Sequence, residues 1–129
     1  MADTAAFKSL ISLGVNRTDE APTFSSMCAI CVDPGIGFGK TADQNLELIR
    51  RLDELCALGR PVLVGVSRKS TFGKVLGDAS ARQGSLAASL AAAVAAFGRG
   101  ASMIRAHDVR ETVEALAVAA AVERGKITA

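Results

Sequence analysis

Asp33-Pro34-Gly35-Ile36-Gly37-Phe38-Gly39-Lys40-Thr41 follows the apolar run Cys28-Ala29-Ile30-Cys31-Val32 and leads into a long helical pattern. The stretch reads as a strand that delivers a carboxylate into a glycine-rich loop. Pro34 removes a backbone donor and ends the strand's ladder, and the alternating glycines let the chain pass close to a ligand. Neither common nucleotide motif accounts for it. A triphosphate-binding loop needs a glycine five positions before Gly39, where the sequence has Pro34. Gly37-x-Gly39-x-x-Ala42, with Asp53 further on, has the letters of a dinucleotide fingerprint, but that fingerprint calls for no carboxylate at the strand tip.

Outward from this loop the chain repeats one plan three times: an apolar strand, a loop with unusual residues, an amphipathic helix. The pattern predicts strands over 27–32, 61–66 and 102–106 and helices over 42–58, 85–97 and 109–123. Leu46, Ile49, Leu52 and Leu55 form a stripe on the first helix, which Gly59 closes; Val113, Leu116, Ala117 and Ala120 do the same on the last. Val62-Leu63-Val64-Gly65-Val66 is continuously apolar, as suits a parallel sheet covered by helices. Offsets of 34 residues from Asp33 to Ser67 and 38 from Ser67 to Arg105 fit right-handed crossover units. The fold class is therefore α/β. A short extra helix is expected over 70–76, loosened by Gly73 and Gly77. The helix 84–98 is apolar almost all round and is expected to be covered on both sides.

Composition narrows the function classes. The 129 residues are 50% hydrophobic, with 15 basic and 13 acidic side chains for a net charge of +2. A chain of this size can bury about two-thirds of its unfolded surface. The interspersed charges offer no stripe for nucleic acid and no attraction to a membrane. Leu86 to Phe97, the longest apolar run, is too short to span a bilayer. Three cysteines and a start without a basic region followed by an apolar one suggest a reducing, cytoplasmic setting. Cys28-x-x-Cys31 reads as two small apolar strand residues, because positions three apart on a strand face opposite ways. Residues 5–13 carry a helical pattern that Gly14 stops, and 16–26, with Pro22, read as a loop. Residues 1–27 are thus set apart from 28–129.

Ser67-Arg68-Lys69-Ser70 and Arg105-Ala106-His107-Asp108-Val109 stand at the ends of the second and third strands. With the glycine-rich loop, these motifs resemble, in order and spacing, the signatures of the dihydropteroate synthase family. The resemblance runs from about Ile30 to the end and covers only the C-terminal part of a family enzyme. It implies a partial (β/α) TIM-type barrel of about three C-terminal units, where a complete barrel needs eight and typically about 250 residues. Two sheet edges would then be open. It also implies a homodimer, or a partner supplying the missing N-terminal half. Residues 1–27 align with the family either as the tail of the fifth barrel helix plus an insertion, or as a worn copy of the first strand and loop.

The implied reaction condenses 6-hydroxymethyl-7,8-dihydropterin diphosphate with p-aminobenzoate, giving 7,8-dihydropteroate and pyrophosphate. By resemblance Asp33 accepts two hydrogen bonds from the pterin's pyrimidine edge, and Lys69 donates to its carbonyl and ring nitrogen. Phe38 meets the aryl ring of p-aminobenzoate, and Ser70, opening a helix, receives its carboxylate. Arg105 stacks on the pterin and, with His107, holds the leaving pyrophosphate. The cofactor implied is Mg²⁺, whose family ligands come mainly from the N-terminal part, so that only Asn16 could contribute here. Plainer roles exist for each residue: a turn for Asp33, a loop anchor for Phe38, a helix cap for Ser70, solvated surface for Lys69 and Arg105, a core position for His107. The alternative functions are a truncated, non-catalytic pterin-binding paralogue and a methyltetrahydrofolate-binding methyltransferase relative.

Overall fold

The structure, a computed structural model, describes residues 30–127. In chain order the elements are α1 (Ala42–Arg50), α2 (Leu52–Cys56), β1 (Leu63–Val64), α3 (Ser70–Val75), α4 (Leu86–Phe97), β2 (Met103–Ile104) and α5 (Val109–Arg124). β1 and β2 pair in parallel, Leu63 opposite Met103 and Val64 opposite Ile104. Val32 bridges Val62 in parallel on the other side. Its N–H donates to the Pro61 carbonyl and its carbonyl accepts from Leu63, both at 2.9 Å. Three parallel segments therefore lie side by side in chain order, each followed by helix. The α/β reading and both crossovers stand, while the strands are much shorter than the apolar runs that encode them. The helix expected over 5–13, the loop 16–26, Asn16 and Cys28 lie outside the described residues.

Alternation in β1 divides the molecule. Val62, Val64 and Val66 are fully buried and join Leu48, Leu52, Leu55, Ala92, Ala93 and Ala96 in the core. Leu63, on the other face, is only half-buried. Packing is therefore one-sided among the described residues, and the double cover expected from the apolar run is not present there.

Local chemistry sets the helix starts. Thr41 forms a capping box, its hydroxyl accepting from Gln44 N–H at 3.2 Å while the Gln44 side chain accepts from Thr41 N–H at 2.9 Å. Ser85 caps α4 by accepting from Ala88 N–H at 3.2 Å. Gly125 ends α5 in the left-handed region, at φ 67°.

Four expectations need correction. The helix predicted over 42–58 breaks at Arg51, whose φ of −104° and ψ of 23° leave the helical basin. Arg51 lies flat between Glu47 and Glu54, 2.6 Å from a Glu54 carboxylate oxygen, and the chain resumes as α2. Ile49, Leu52 and Leu55 of the expected stripe are buried, with Asn45 and Leu48 beside them, but Leu46 turns outward at 38% exposure and a polar side chain takes the inner place. On α5 only Thr112 is fully buried, and Val113 is 60% exposed, so the apolar stripe assigned to that helix is offset from the face that packs. α4 is likewise buried only along Ser89, Ala92, Ala93 and Ala96.

Gly73 explains how closely α3 and the loop before α4 approach. A Cβ there would collide with Ala81 Cβ and come within 2.7 Å of the Gln83 carbonyl. Gly73→Ala gains about 1 kcal/mol of helix propensity but overpacks a backbone contact, typically a loss of about 1–3 kcal/mol. The substitution should lower the urea midpoint of unfolding. An unchanged or raised midpoint would mean that this segment yields freely.

Candidate functional site

The parallel register sends the residues after Val32, Val64 and Ile104 to one edge, and there the three motifs meet. Gly65, Ser67, Lys69, Arg105, Ala106 and His107 line a polar cavity of about 270 Å³. A larger apolar groove of about 340 Å³ lies elsewhere, among α1, α3 and α4, walled by Leu46, Ile49, Phe72, Val75 and alanines of α4. The smaller cavity holds the convergent donors, and chemistry belongs there.

Asp33 reaches the cavity through its partner. Its Oδ1 accepts from Gly35 N–H at 2.8 Å, closing a tight turn. Its Oδ2 lies 3.4 Å from a terminal nitrogen of Arg105. The turn role weighed for Asp33 is thus real and coexists with a second oxygen aimed at the site. Arg105 crosses the bare face of Gly65, where a Cβ would stand 2.8 Å from the guanidinium. A side chain at 65 would push the guanidinium off that path.

Lys69 lies along the glycine loop. Its Nζ sits 4.3 Å from the centre of the Phe38 ring, and its stem passes where a Cβ on Gly37 would be, 2.9 Å away. Gly37 has φ 84°, so both backbone and space require glycine. Phe38 is 63% exposed, with Lys69 on one face. The cation–ring contact is worth about 0.5–1 kcal/mol at such exposure. Lys40 Nζ donates to the carbonyls of Gly35 at 3.0 Å and Phe38 at 3.1 Å and folds the loop on itself. Ser70 is the first residue of α3, beside Lys69 and outside the cavity lining.

His107, two residues on along the chain, shares the cavity with Arg105. Ser67 Oγ accepts from the His107 main-chain N–H at 3.2 Å and stands 3.0 Å from Nδ1. The Ser67 hydroxyl can donate to Nδ1 or accept from it, and in the tautomer where it donates the ring carries its proton on Nε2. The ring then offers a donor on its far side.

Several supporting residues escaped the sequence reading. Asn45, 1% exposed on α1, accepts from Gly37 N–H at 2.9 Å and donates to Thr71 Oγ1 at 3.0 Å. Ser89 Oγ accepts from Arg68 N–H at 2.8 Å. Arg68, in the second motif, has φ 57°, rare for a side-chain-bearing residue. Its guanidinium grips Asp108 with both oxygens, at 2.7 and 3.2 Å. Asp108 thereby gives up side-chain capping of α5, and Thr112 Oγ1 donates to its carbonyl instead, at 2.7 Å. A signal for Asn45 existed in its placement one turn past Thr41, in line with Leu48 and Leu52, where a polar residue needs partners.

Cys31 is exposed and Cys56 half-buried, both free; burial pushes the Cys56 thiol up, with Asp53 adding to it. No helix among the described residues is long and apolar enough to cross a membrane. Nor do they gather three or more His, Cys, Asp or Glu side chains able to hold a metal ion.

Residues 14–107 match the family described as pterin binding enzyme. A probable bifunctional folylpolyglutamate synthase/dihydropteroate synthase of Halobacterium salinarum is 52% identical over 96 residues, which is 74% of this chain and 11% of that protein. The dihydropteroate synthase of Neisseria meningitidis serogroup B is 49% identical over 92 residues, 69% of this chain and 32% of the relative. Among solved structures, the dihydropteroate synthase of Xanthomonas albilineans in complex with 7,8-dihydropteroate superposes with a TM-score of 0.67 at 46% identity, covering 72% of this chain and 36% of that one. The chain thus spans about a third of the length of the single-function relatives it matches, 32% of the Neisseria protein.

The Arg68 guanidinium, by hydrogen bond first and charge second, holds the Asp108 carboxyl below the usual aspartate range. A lowered folded-state value means the link stabilises the fold above the unfolded-state pKa and is lost as pH falls through the lowered one. In a carbon-detected NMR titration Asp108 should titrate below an ordinary aspartate, and Arg68→Gln should return it to the ordinary range. An Asp108 that titrates normally in the unmutated chain would dissolve the link.

Proposed function

The chain belongs to the pterin binding enzyme family, and from that premise we propose that it forms the pterin-holding, pyrophosphate-releasing part of a dihydropteroate synthase. Its three parallel βα units correspond, in this reading, to the C-terminal units of a (β/α) barrel. The observation that carries the proposal is the convergence of Lys69, Arg105 and His107 on one cavity, with Asp33 tied to it through Arg105.

The amine nitrogen of p-aminobenzoate attacks the methylene carbon of 6-hydroxymethyl-7,8-dihydropterin diphosphate. The C–N bond forms as the C–O bond to pyrophosphate breaks, and the amine's extra proton leaves to solvent. An aryl amine needs no strong base, so the protein's task is to position the partners and stabilise the departing charge. Asp33 accepts from the pterin's 2-amino and N3–H groups once Arg105 swings off its Oδ2. Lys69 donates to the carbonyl and ring nitrogen of the same edge. Arg105, with a flat cation, covers the pterin and contacts the diphosphate, and His107 donates from Nε2 to the leaving oxygens. Phe38 meets the aryl ring, and the Ser70 hydroxyl and N–H meet its carboxylate.

Magnesium, expected from the resemblance, finds no ligand cluster among the described residues. Asn16 lies outside them, and no step is routed through the metal. The rest of the barrel is the natural cover for the open sheet edges at Val32 and β2, supplied by further chain or by a partner, with a homodimer as the assembled form. Free Cys31 and Cys56 suit a cytoplasmic setting. The methyltransferase alternative draws no support from the relatives matched, which carry the dihydropteroate synthase name.

Asp33→Asn keeps an oxygen for Gly35 N–H, so the loop should hold, but its amide nitrogen faces the pterin's donors. Pterin affinity should fall by about 1–3 kcal/mol, the cost of an unpaired polar group, with the melting temperature nearly unchanged. Calorimetry finding equal affinity in the folded variant would remove Asp33 from the site.

A further inference from the structure

Asn45 lies outside the lining of the polar cavity, yet it joins the two places on which recognition of the aryl amine would depend. Its Oδ1 accepts from the N–H of Gly37, the residue before Phe38. Its Nδ2 donates to the hydroxyl of Thr71, the residue after Ser70. Asn45 is 1% exposed and Thr71 3%, so water cannot replace either bond. Nor can the loop drift alone: the Gly37 amide has a buried acceptor at a fixed point of α1, one turn beyond the Thr41 capping box. Asp33 and Arg105, at the pterin end, make no hydrogen bond to this pair.

From this arrangement we infer that Asn45 and Thr71 are positioning residues that set the spacing between Phe38 and Ser70, and so act selectively on p-aminobenzoate rather than on the pterin. The inference rests on the proposed function for its ligands but on the two hydrogen bonds for its mechanism. A flexible linkage would let Phe38, 63% exposed, sample positions away from Lys69. A buried amide bonded at both ends removes that freedom before any ligand arrives.

Thr71→Val tests it, since valine keeps the shape and removes the acceptor, while Thr71→Ser restores the hydroxyl. In the full chain, Thr71→Val should weaken p-aminobenzoate binding on the order of tenfold, measured with saturating 6-hydroxymethylpterin. The pterin's own dissociation constant should stay within about twofold, since a buried hydrogen bond is lost at one end of the site only. Hydrogen exchange at the Gly37 amide should speed up while Val64 remains protected, and Thr71→Ser should return both properties to the wild-type range. Equal weakening of both ligands, no weakening of p-aminobenzoate, or unchanged Gly37 exchange would overturn the assignment. If Thr71→Val fails to fold, the unmutated chain decides: the Asn45 side-chain amide signals should shift on titration with p-aminobenzoate, and their silence would overturn it. A wild-type chain that binds neither compound counts against the proposed function, and the linkage then stands or falls on Gly37 exchange alone.

Discussion

Parallel pairing of Val32 with Val62 and of Val64 with Ile104 is the constraint from which the rest follows. Parallel neighbours run the same way, so every loop that leaves a strand leaves at the same edge, and every helix must cross back to begin the next unit. Asp33, Lys69 and His107 are far apart in sequence and near one another only for this reason. Val62 and Val64, which take part in the pairing, and Val66 beyond them are also among the most buried residues of the core, at 0%, 0% and 1% exposure. Register and burial reinforce each other, because a slip by one residue would turn all three valines outward.

Once the loops share an edge, side chains tie them together, and these ties differ in strength. The Arg68–Asp108 pair links the second and third loops in view of solvent, where screening leaves such contacts little net effect. Asn45 links the first loop to the second from inside the protein, where loss of one partner leaves a buried group unpaired at about 1–3 kcal/mol. The buried linkage therefore dominates the placement of the glycine loop, and the exposed pair trims the orientation of the third. Lys69 over Phe38 and Ser67 beneath His107 finish the arrangement with contacts that a ligand can compete for.

Much of this was legible in the residues alone. The two crossovers and the approximate starts of α1, α4 and α5 follow from apolar pattern and local chemistry that tertiary context left untouched. Lys69, Arg105 and His107 could be grouped because each follows an apolar strand, and topology does the grouping. The break at Arg51 was hidden, since Arg is a good helix former and its pairing with Glu47 and Glu54 is ordinary helix chemistry. The inward turn of Asn45 in place of Leu46 was signalled only by its line-up with Leu48 and Leu52, because hydrophobic periodicity assigns the inner face to the apolar residue and cannot see a hydrogen-bonding partner in another loop. Arg68 at φ 57° was hidden because nothing in the letter R signals a left-handed backbone. The outward valines of α5, among them Val118 and Val122, show that an apolar stripe marks surface to be covered without saying what covers it.

The central claim is that three loops, brought to one edge by parallel pairing, form a single pterin-holding site. Titration of the isotope-labelled chain with 6-hydroxymethyl-7,8-dihydropterin diphosphate, followed by backbone amide shifts, tests it most directly. The account predicts shifts at Gly35, Lys69, Arg105 and His107 together, saturating along one binding curve. Shifts confined to a single loop, or to the apolar groove around Leu46, Phe72 and Val75, would contradict it.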